Sequence, residues 1–273
     1  MIKEIIDKLV ALLAVSALLA SCSESELWQN PQTEARDGYI MLNFKTEIPA
    51  MQEVVTRAVD PDGGGVQDMT LFCFDSYGLF ISTVKAGVTV QKPGPGEMEG
   101  TFKAEVPENT RTIHFLANQN MDEFKEDSFR NKSESEVMAV LEGSSGRMIY
   151  WGRFACDAGN DSNIAEQMAT SGNSVKLIRN HARISVDDPD NNGHIVITGF
   201  AVCNTNAFGT VAPHHPKKGF DFTWPSSDDP FVTLPVNDAK MSDITDVTSS
   251  MNQYVFECEN SADAPVSVIL RGH

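Results

Sequence analysis

Basic side chains are scarce in this sequence. Lys and Arg number 21 against 38 Asp and Glu, a formal net charge of −17. So acidic a surface repels nucleic acid and anionic lipid head groups, which argues against a nucleic-acid partner and against electrostatic attachment to a membrane. The apolar run at residues 9–20 is too short to cross a bilayer core of about 30 Å as a helix. Cysteine is sparse too. Beyond Cys22 there are Cys73, Cys156, Cys203 and Cys258, far apart in the chain and set in apolar stretches. Export would permit disulfides, but four cysteines allow three pairings and the sequence selects none. Cys73 in Leu71-Phe72-Cys73-Phe74 and Cys203 in Ala201-Val202-Cys203 read as small buried hydrophobes, so mostly free thiols are expected.

Catalytic patterns are missing as well. There is no Gly-Xaa-Ser-Xaa-Gly, no P-loop and no His-Glu-Xaa-Xaa-His, and no enzyme is expected. His214-His215 lies between Pro213 and Pro216. Adjacent loop histidines rarely hold one ion unaided, and an exposed loop is expected there. Asp60-Pro61-Asp62-Gly63-Gly64-Gly65 lacks the oxygen spacing and closing glutamate of a calcium loop. No metal and no cofactor are expected. His114, His181 and His194 are scattered on candidate strands and read as interface or surface residues.

What is present begins at the N-terminus. Lys3 and Lys8, the apolar run, and small residues ahead of Cys22 make a secretory signal over residues 1–21. Leu19-Ala20-Ser21-Cys22 resembles the lipobox of bacterial lipoproteins, which implies that Cys22 becomes an acylated first residue. Removing the signal leaves 252 residues (273 − 21), enough for one large or two ordinary domains. Residues 22–37 are polar and acidic and read as a tether. Glu24 and Glu26 directly after the cysteine resemble the export tag that sends lipoproteins of the Bacteroides group to the cell exterior.

Short strands follow, bounded by turn residues. Tyr39-Ile40-Met41-Leu42-Asn43-Phe44 is the first. Residues 66–74 and 79–84 flank the turn Asp75-Ser76-Tyr77-Gly78 and read as a hairpin. Residues 101–106 and 111–118 are further strands. The best helical candidates lie at 121–129 and 133–141, where Ser133 and Glu136 form a capping-box pattern. Met148-Ile149-Tyr150-Trp151 suggests a strand with Trp151 in the core. The polar stretch 157–174 reads as a boundary. Strands resume at 175–178, 182–186, 194–204, 254–258 and 266–270. The pattern predicts a mostly β protein with two β-sandwich domains in tandem, residues 38–172 and 173–273, and short helices in the first. The chain stops just after a strand at Arg271-Gly272-His273. An edge-filling strand and a fragment with an incomplete second domain both remain open readings.

Five segments in order resemble the fimbrillin superfamily of Bacteroidia, the subunits of type V pili. They are Leu71-Phe72-Cys73-Phe74-Asp75-Ser76-Tyr77-Gly78; Ile113-His114-Phe115-Leu116-Ala117-Asn118; Arg179-Asn180-His181-Ala182-Arg183-Ile184; the strand Ile195 through Val202-Cys203-Asn204; and Glu259-Asn260 ahead of Ser267-Val268-Ile269-Leu270. The resemblance implies two transthyretin-like sandwiches, a lipidated precursor, and a cut after an arginine by a surface protease. That cut removes the first strand and leaves a groove for a neighbour's strand. Arg57 in Val54-Val55-Thr56-Arg57-Ala58-Val59 matches such a cleavage site.

The expected function is therefore structural: a component of cell-surface fimbriae in shaft, tip or anchor position, assembled by strand exchange and supporting adhesion. The implied partners are other pilus subunits, an arginine-specific surface protease, the outer membrane through the lipid, and a host protein or glycan. The alternative is a surface glycan-binding lipoprotein. Phe222 and Trp224, in an aromatic-rich loop, are the candidate ligand or partner contacts for either.

Overall fold

The computed structural model describes residues 35–48, 66–91, 100–144, 148–186, 196–214, 230–237 and 252–273. Within them the chain is mostly β, with two short α-helices and one 3-10 turn. A four-stranded sheet has the order β4 (Gly87–Gln91), β5 (Gly100–Pro107), β1 (Tyr39–Glu47), β9 (Ser174–Lys176). A five-stranded sheet has the order β10 (Ile178–Arg179), β8 (Tyr150–Ala155), β6 (Thr112–Ala117), β2 (Met69–Phe74), β3 (Phe80–Lys85). The β2–β3 pair is the hairpin the turn residues predict, closed where Asp75 Oδ1 accepts from the Tyr77 and Leu79 backbone N–H groups.

Side chains alternate along a strand, and that alternation builds the core between the sheets. Ile40, Leu42 and Phe44 of β1 and Phe102, Ala104 and Val106 of β5 meet Met69, Leu71 and Cys73 of β2 and Ile113, Phe115 and Ala117 of β6. Phe44 stacks on Phe102 at 5.5 Å and meets the Phe115 ring edge-on at 5.0 Å. Two sheets sharing one apolar interior make this part a β-sandwich. Cys73 and Cys203 are buried, and all four cysteines in the described residues are unpaired, as their apolar settings predict.

The sandwich closes at Leu177. The chain leaves the four-stranded sheet at Lys176, where β9 runs parallel to β1, and enters the five-stranded sheet at Ile178, antiparallel to Trp151. Leu177, fully buried, is the corner. Both strands follow the boundary predicted at residue 172, yet they pair with strands on its N-terminal side. Gly152 makes room for this crossing: a Cβ there would lie 2.7 Å from the Lys176 carbonyl oxygen and 2.8 Å from Leu177 Cδ2. Backbone cannot yield as a flexible side chain can, so Gly152→Ala should cost about 1–3 kcal/mol. Unchanged chemical denaturation in that variant would show that the crossing has slack.

The outer face of the five-stranded sheet is also apolar. Phe72, Phe74, Leu116 and Trp151 lie under α1 (Glu134–Met138), Leu141, and the segments holding Val211, Ala212 and Val232. The capping box at Ser133 and Glu136 is present. The helix predicted at 121–129 contracts to a 3-10 turn, Glu126–Phe129, whose Phe129 ring stacks on Phe124 at 4.8 Å. A second helix, α2 (Ile164–Thr170), stands in the stretch whose polarity suggests a boundary. Asn163 and Glu166 cap it reciprocally, and Ile164, Ala165 and Met168 enter the core.

Beyond Arg179 the strands of the described residues pair two by two: β11 (His181–Ser185) with β14 (Asn252–Phe256), β12 (Ile197–Cys203) with β15 (Ser267–Gly272), and β13 (Phe208–Thr210) with β7 (Glu142–Ser144). The β13–β7 pair joins this part to the connection after α1. Gln253 of β14 bonds sideways to β12, accepting from Val202 N–H at 2.8 Å and donating to the Phe200 carbonyl at 3.0 Å. Its amide stands where a neighbouring strand's peptide group would.

Candidate functional site

Cys22, Arg57, Phe222 and Trp224, the site residues the sequence points to, all lie outside the described residues. Among the described residues, the element nearest to Arg57 on its N-terminal side is β1. β1 is an inner strand. It pairs antiparallel with β5 from Tyr39 opposite Pro107 to Thr46 opposite Gly100, and parallel with β9 on its other side. Ile40, Leu42, Phe44 and Thr46 are buried, and Met41 on the opposite face is buried as well. Removing β1 would leave a slot floored by Phe102, Phe115 and Val175, with backbone groups of β5 unpaired from Gly100 to Pro107 and those of β9 unpaired only at the end that faces Lys45–Glu47. Each large apolar side chain in that slot is worth about 1.5–3 kcal/mol of burial, and unpaired buried backbone groups add to the cost of emptiness. An empty slot would therefore be a strong acceptor for an extended segment that alternates apolar residues.

Three asparagines of the resemblance segments do structural work at corners. Asn118 and Asn204 end β6 and β12 with φ of 65° and 59°, the left-handed region that asparagine tolerates. Asn118 Nδ2 donates to the Met148 carbonyl at 3.1 Å and its Oδ1 accepts from Gln67 N–H at 2.8 Å. Asn204 Nδ2 donates to the Pro265 carbonyl. Asn260 Oδ1 accepts from Val266 N–H at 2.7 Å, closing the loop ahead of β15.

His114 is not an interface or surface residue. It is fully buried on the outer face of β6. Its Nδ1 accepts from Trp151 Nε1–H at 3.0 Å, and its Nε2–H donates to Glu134 Oε2 at 2.6 Å. An indole nitrogen can only donate, which fixes the neutral tautomer with the proton on Nε2. Arg153 of β8 grips the same carboxylate, Nε to Oε2 at 2.6 Å and a terminal nitrogen to Oε1 at 3.0 Å. Burial pushes the Glu134 carboxyl up, but the His114 and Arg153 bonds outweigh it and hold it at about 2. The sequence shows these residues only as an alternating His114 and a helix-start Glu134; their convergence needs the sheet register.

His181 bonds Asn180 Oδ1 through Nδ1 and lies tilted against the Phe256 ring at 3.9 Å; burial lowers its pKa to about 4. It lines a cleft of about 470 Å³ with Arg179, Pro213, Phe256 and Glu257. His214 is half-buried, tied through Nδ1–H to the Val232 carbonyl, rather than exposed; His215 lies outside the described residues. Among the described residues no group of three His, Cys, Asp or Glu side chains is placed to hold a metal ion, and no helix is long and apolar enough to cross a membrane.

No family model matches the chain, and no curated protein matches it. Solved structures overlap it at low identity. A fimbrial assembly protein from Parabacteroides distasonis ATCC 8503 is 13% identical, with 86% of this chain and 82% of that chain covered at a TM-score of 0.43. The tip fimbrial protein Mfa3 from Porphyromonas gingivalis, with a C-terminal truncation, is 15% identical, with 82% and 71% covered at a TM-score of 0.45. The mostly β fold stands on its own strand pairing and core, independently of these overlaps.

Proposed function

We propose that this chain is a structural subunit of cell-surface fimbriae, exported as a lipoprotein on Cys22 and assembled by strand exchange, in support of adhesion. The observation that carries the reading is the position of β1. It is a buried inner strand of its sheet, paired with β5 along most of its length and with β9 over its last three residues, and it ends 10 residues before Arg57 (57 − 47). A cut after Arg57 by an arginine-specific surface protease severs β1 from the rest of the chain. β1 then stays in place only by non-covalent contacts, and a strand of a neighbouring subunit can replace it. The order of the five resemblance segments and the lipobox-like Leu19-Ala20-Ser21-Cys22 support the same reading. In this account the lipid holds the precursor at the outer membrane, and the cut releases the subunit into the fimbrium.

The test is a chase on purified protein cut after Arg57. A labelled peptide spanning residues 38–48 is added in excess and the bound label is followed by size-exclusion chromatography. Exchange of the resident strand, or growth of oligomers, is the expected result. Cut protein that stays monomeric and takes up no added strand, from the peptide or from a second copy, overturns the reading.

A further inference from the structure

We propose that His114 is the trigger of an acid-sensitive joint that seats residues 211–214 and 230–232 on the outer face of the five-stranded sheet. Both nitrogens of its ring are committed in the neutral form, Nδ1 as acceptor from Trp151 and Nε2–H as donor to Glu134. A second proton can go only to Nδ1, where it would face the Trp151 N–H 3.0 Å away. Two donors would then oppose each other, and the imidazole must shift or the Trp151 bond must break.

The ring also carries the seat. Phe231 stacks on His114 with centroids 5.7 Å apart and planes at 19°, while Phe74 lies against the imidazole at 5.2 Å. Phe231 N–H donates to the His214 carbonyl at 2.9 Å, and His214 Nδ1–H donates to the Val232 carbonyl. Val211, Ala212 and Val232 are buried beside them. Unseating Phe231 therefore loosens both segments together.

The charged groups around the ring set where the trigger acts. Glu134 on α1 favours the imidazolium, but Arg153 on β8 already holds both its oxygens and opposes a second cation. On the seated segments His214 is bonded to Val232, and Glu257 of the adjoining strand end accepts from His214 N–H. Glu126 of the 3-10 turn is bonded to Thr83, and Asp75 closes the β2–β3 turn. Among the described residues, none of these groups is hydrogen-bonded to Nδ1, which accepts from Trp151. Burial, the dominant influence, holds His114 below the usual imidazole range, so the joint is closed at neutral pH and opens in acid.

The experiment follows the full chain with Trp28→Phe and Trp224→Phe, leaving Trp151 as the reporter. Amide exchange at Phe231 and Val232, corrected for intrinsic rate, is compared at pH 7 and at mildly acidic pH near 5. The expected result is a rise of about tenfold or more relative to the β2 amides, accompanied by a change in Trp151 emission, with far-ultraviolet circular dichroism unchanged. His114→Gln should show neither change. A parent protein without the selective rise, or an equal rise in His114→Gln, overturns the proposal. Should His114→Gln not fold, NMR of the His114 ring in the parent decides: its titration must coincide with the exchange at Phe231, and separate midpoints overturn the proposal.

Discussion

Arg153→Met should destabilise the protein by about 3–5 kcal/mol, the range for removing one partner of a buried ion pair. Arg153 and Glu134 have side-chain exposures of 4% and 15%, so water does little to replace the lost guanidinium. The informative comparison is with Glu134→Gln in the same background. A neutral amide needs no cation, so the double variant should be more stable than Arg153→Met alone, with a coupling of about 1–3 kcal/mol by urea denaturation. Strict additivity would show that the two charges do not act on one another. The pair also fixes the acid limb of stability. Glu134 is held near 2 in the folded protein against 4.5 as its ordinary value. Its depressed pKa contributes about 3 kcal/mol, present above pH 4.5 and lost as pH falls towards 2. Arg153→Met should shrink that contribution, so the variant's stability should depend less on pH between 4.5 and 2.

The sandwich was legible because its strands alternate and its turns carry their own chemistry. Asp75-Ser76-Tyr77-Gly78 demanded a reversal, and the period-two patterns of Ile40, Leu42, Phe44 and of Phe102, Ala104, Val106 named one face of the core. The asparagines ending β6 and β12 were visible as a family mark, and the physical reason is their left-handed backbone. Other elements gave weaker signals. α2 spans only Ile164–Thr170, and its Asn163–Glu166 capping box was the one local cue inside a polar stretch. β9 and β10 read as one strand because nothing local marks a change of sheet; the corner at Leu177 exists only through pairing with β1 and β8. β7 and β13 have three residues each, too short for periodicity to register. The His114 cluster was hidden for a different reason. Its members are separated by 20, 37 and 19 positions, so only the β6–β8 register and the seat of α1 bring them together.

Phe44→Ala should cost about 3–5 kcal/mol, the usual price of truncating a buried phenylalanine. The ring is fully buried between Phe102 and Phe115, and neither neighbour can collapse into the space without leaving its own strand position. The same substitution separates two roles of β1. In the uncut chain β1 is covalently attached, and the loss appears only as reduced stability in chemical denaturation. After a cut at Arg57 the strand is held by its contacts alone, and the same loss acts on its affinity for the slot. At about 1.4 kcal/mol per tenfold, a loss of that size would make the cut Phe44→Ala strand leave at least about a hundredfold more readily than the cut parent strand. A donated strand should then enter faster, provided departure of β1 limits exchange. Equal exchange in cut parent and cut Phe44→Ala would mean that departure of β1 is not the controlling step. Lys45→Ala is the matching control: Lys45 is exposed on the same strand and its loss should leave both stability and exchange within the small range of surface substitutions.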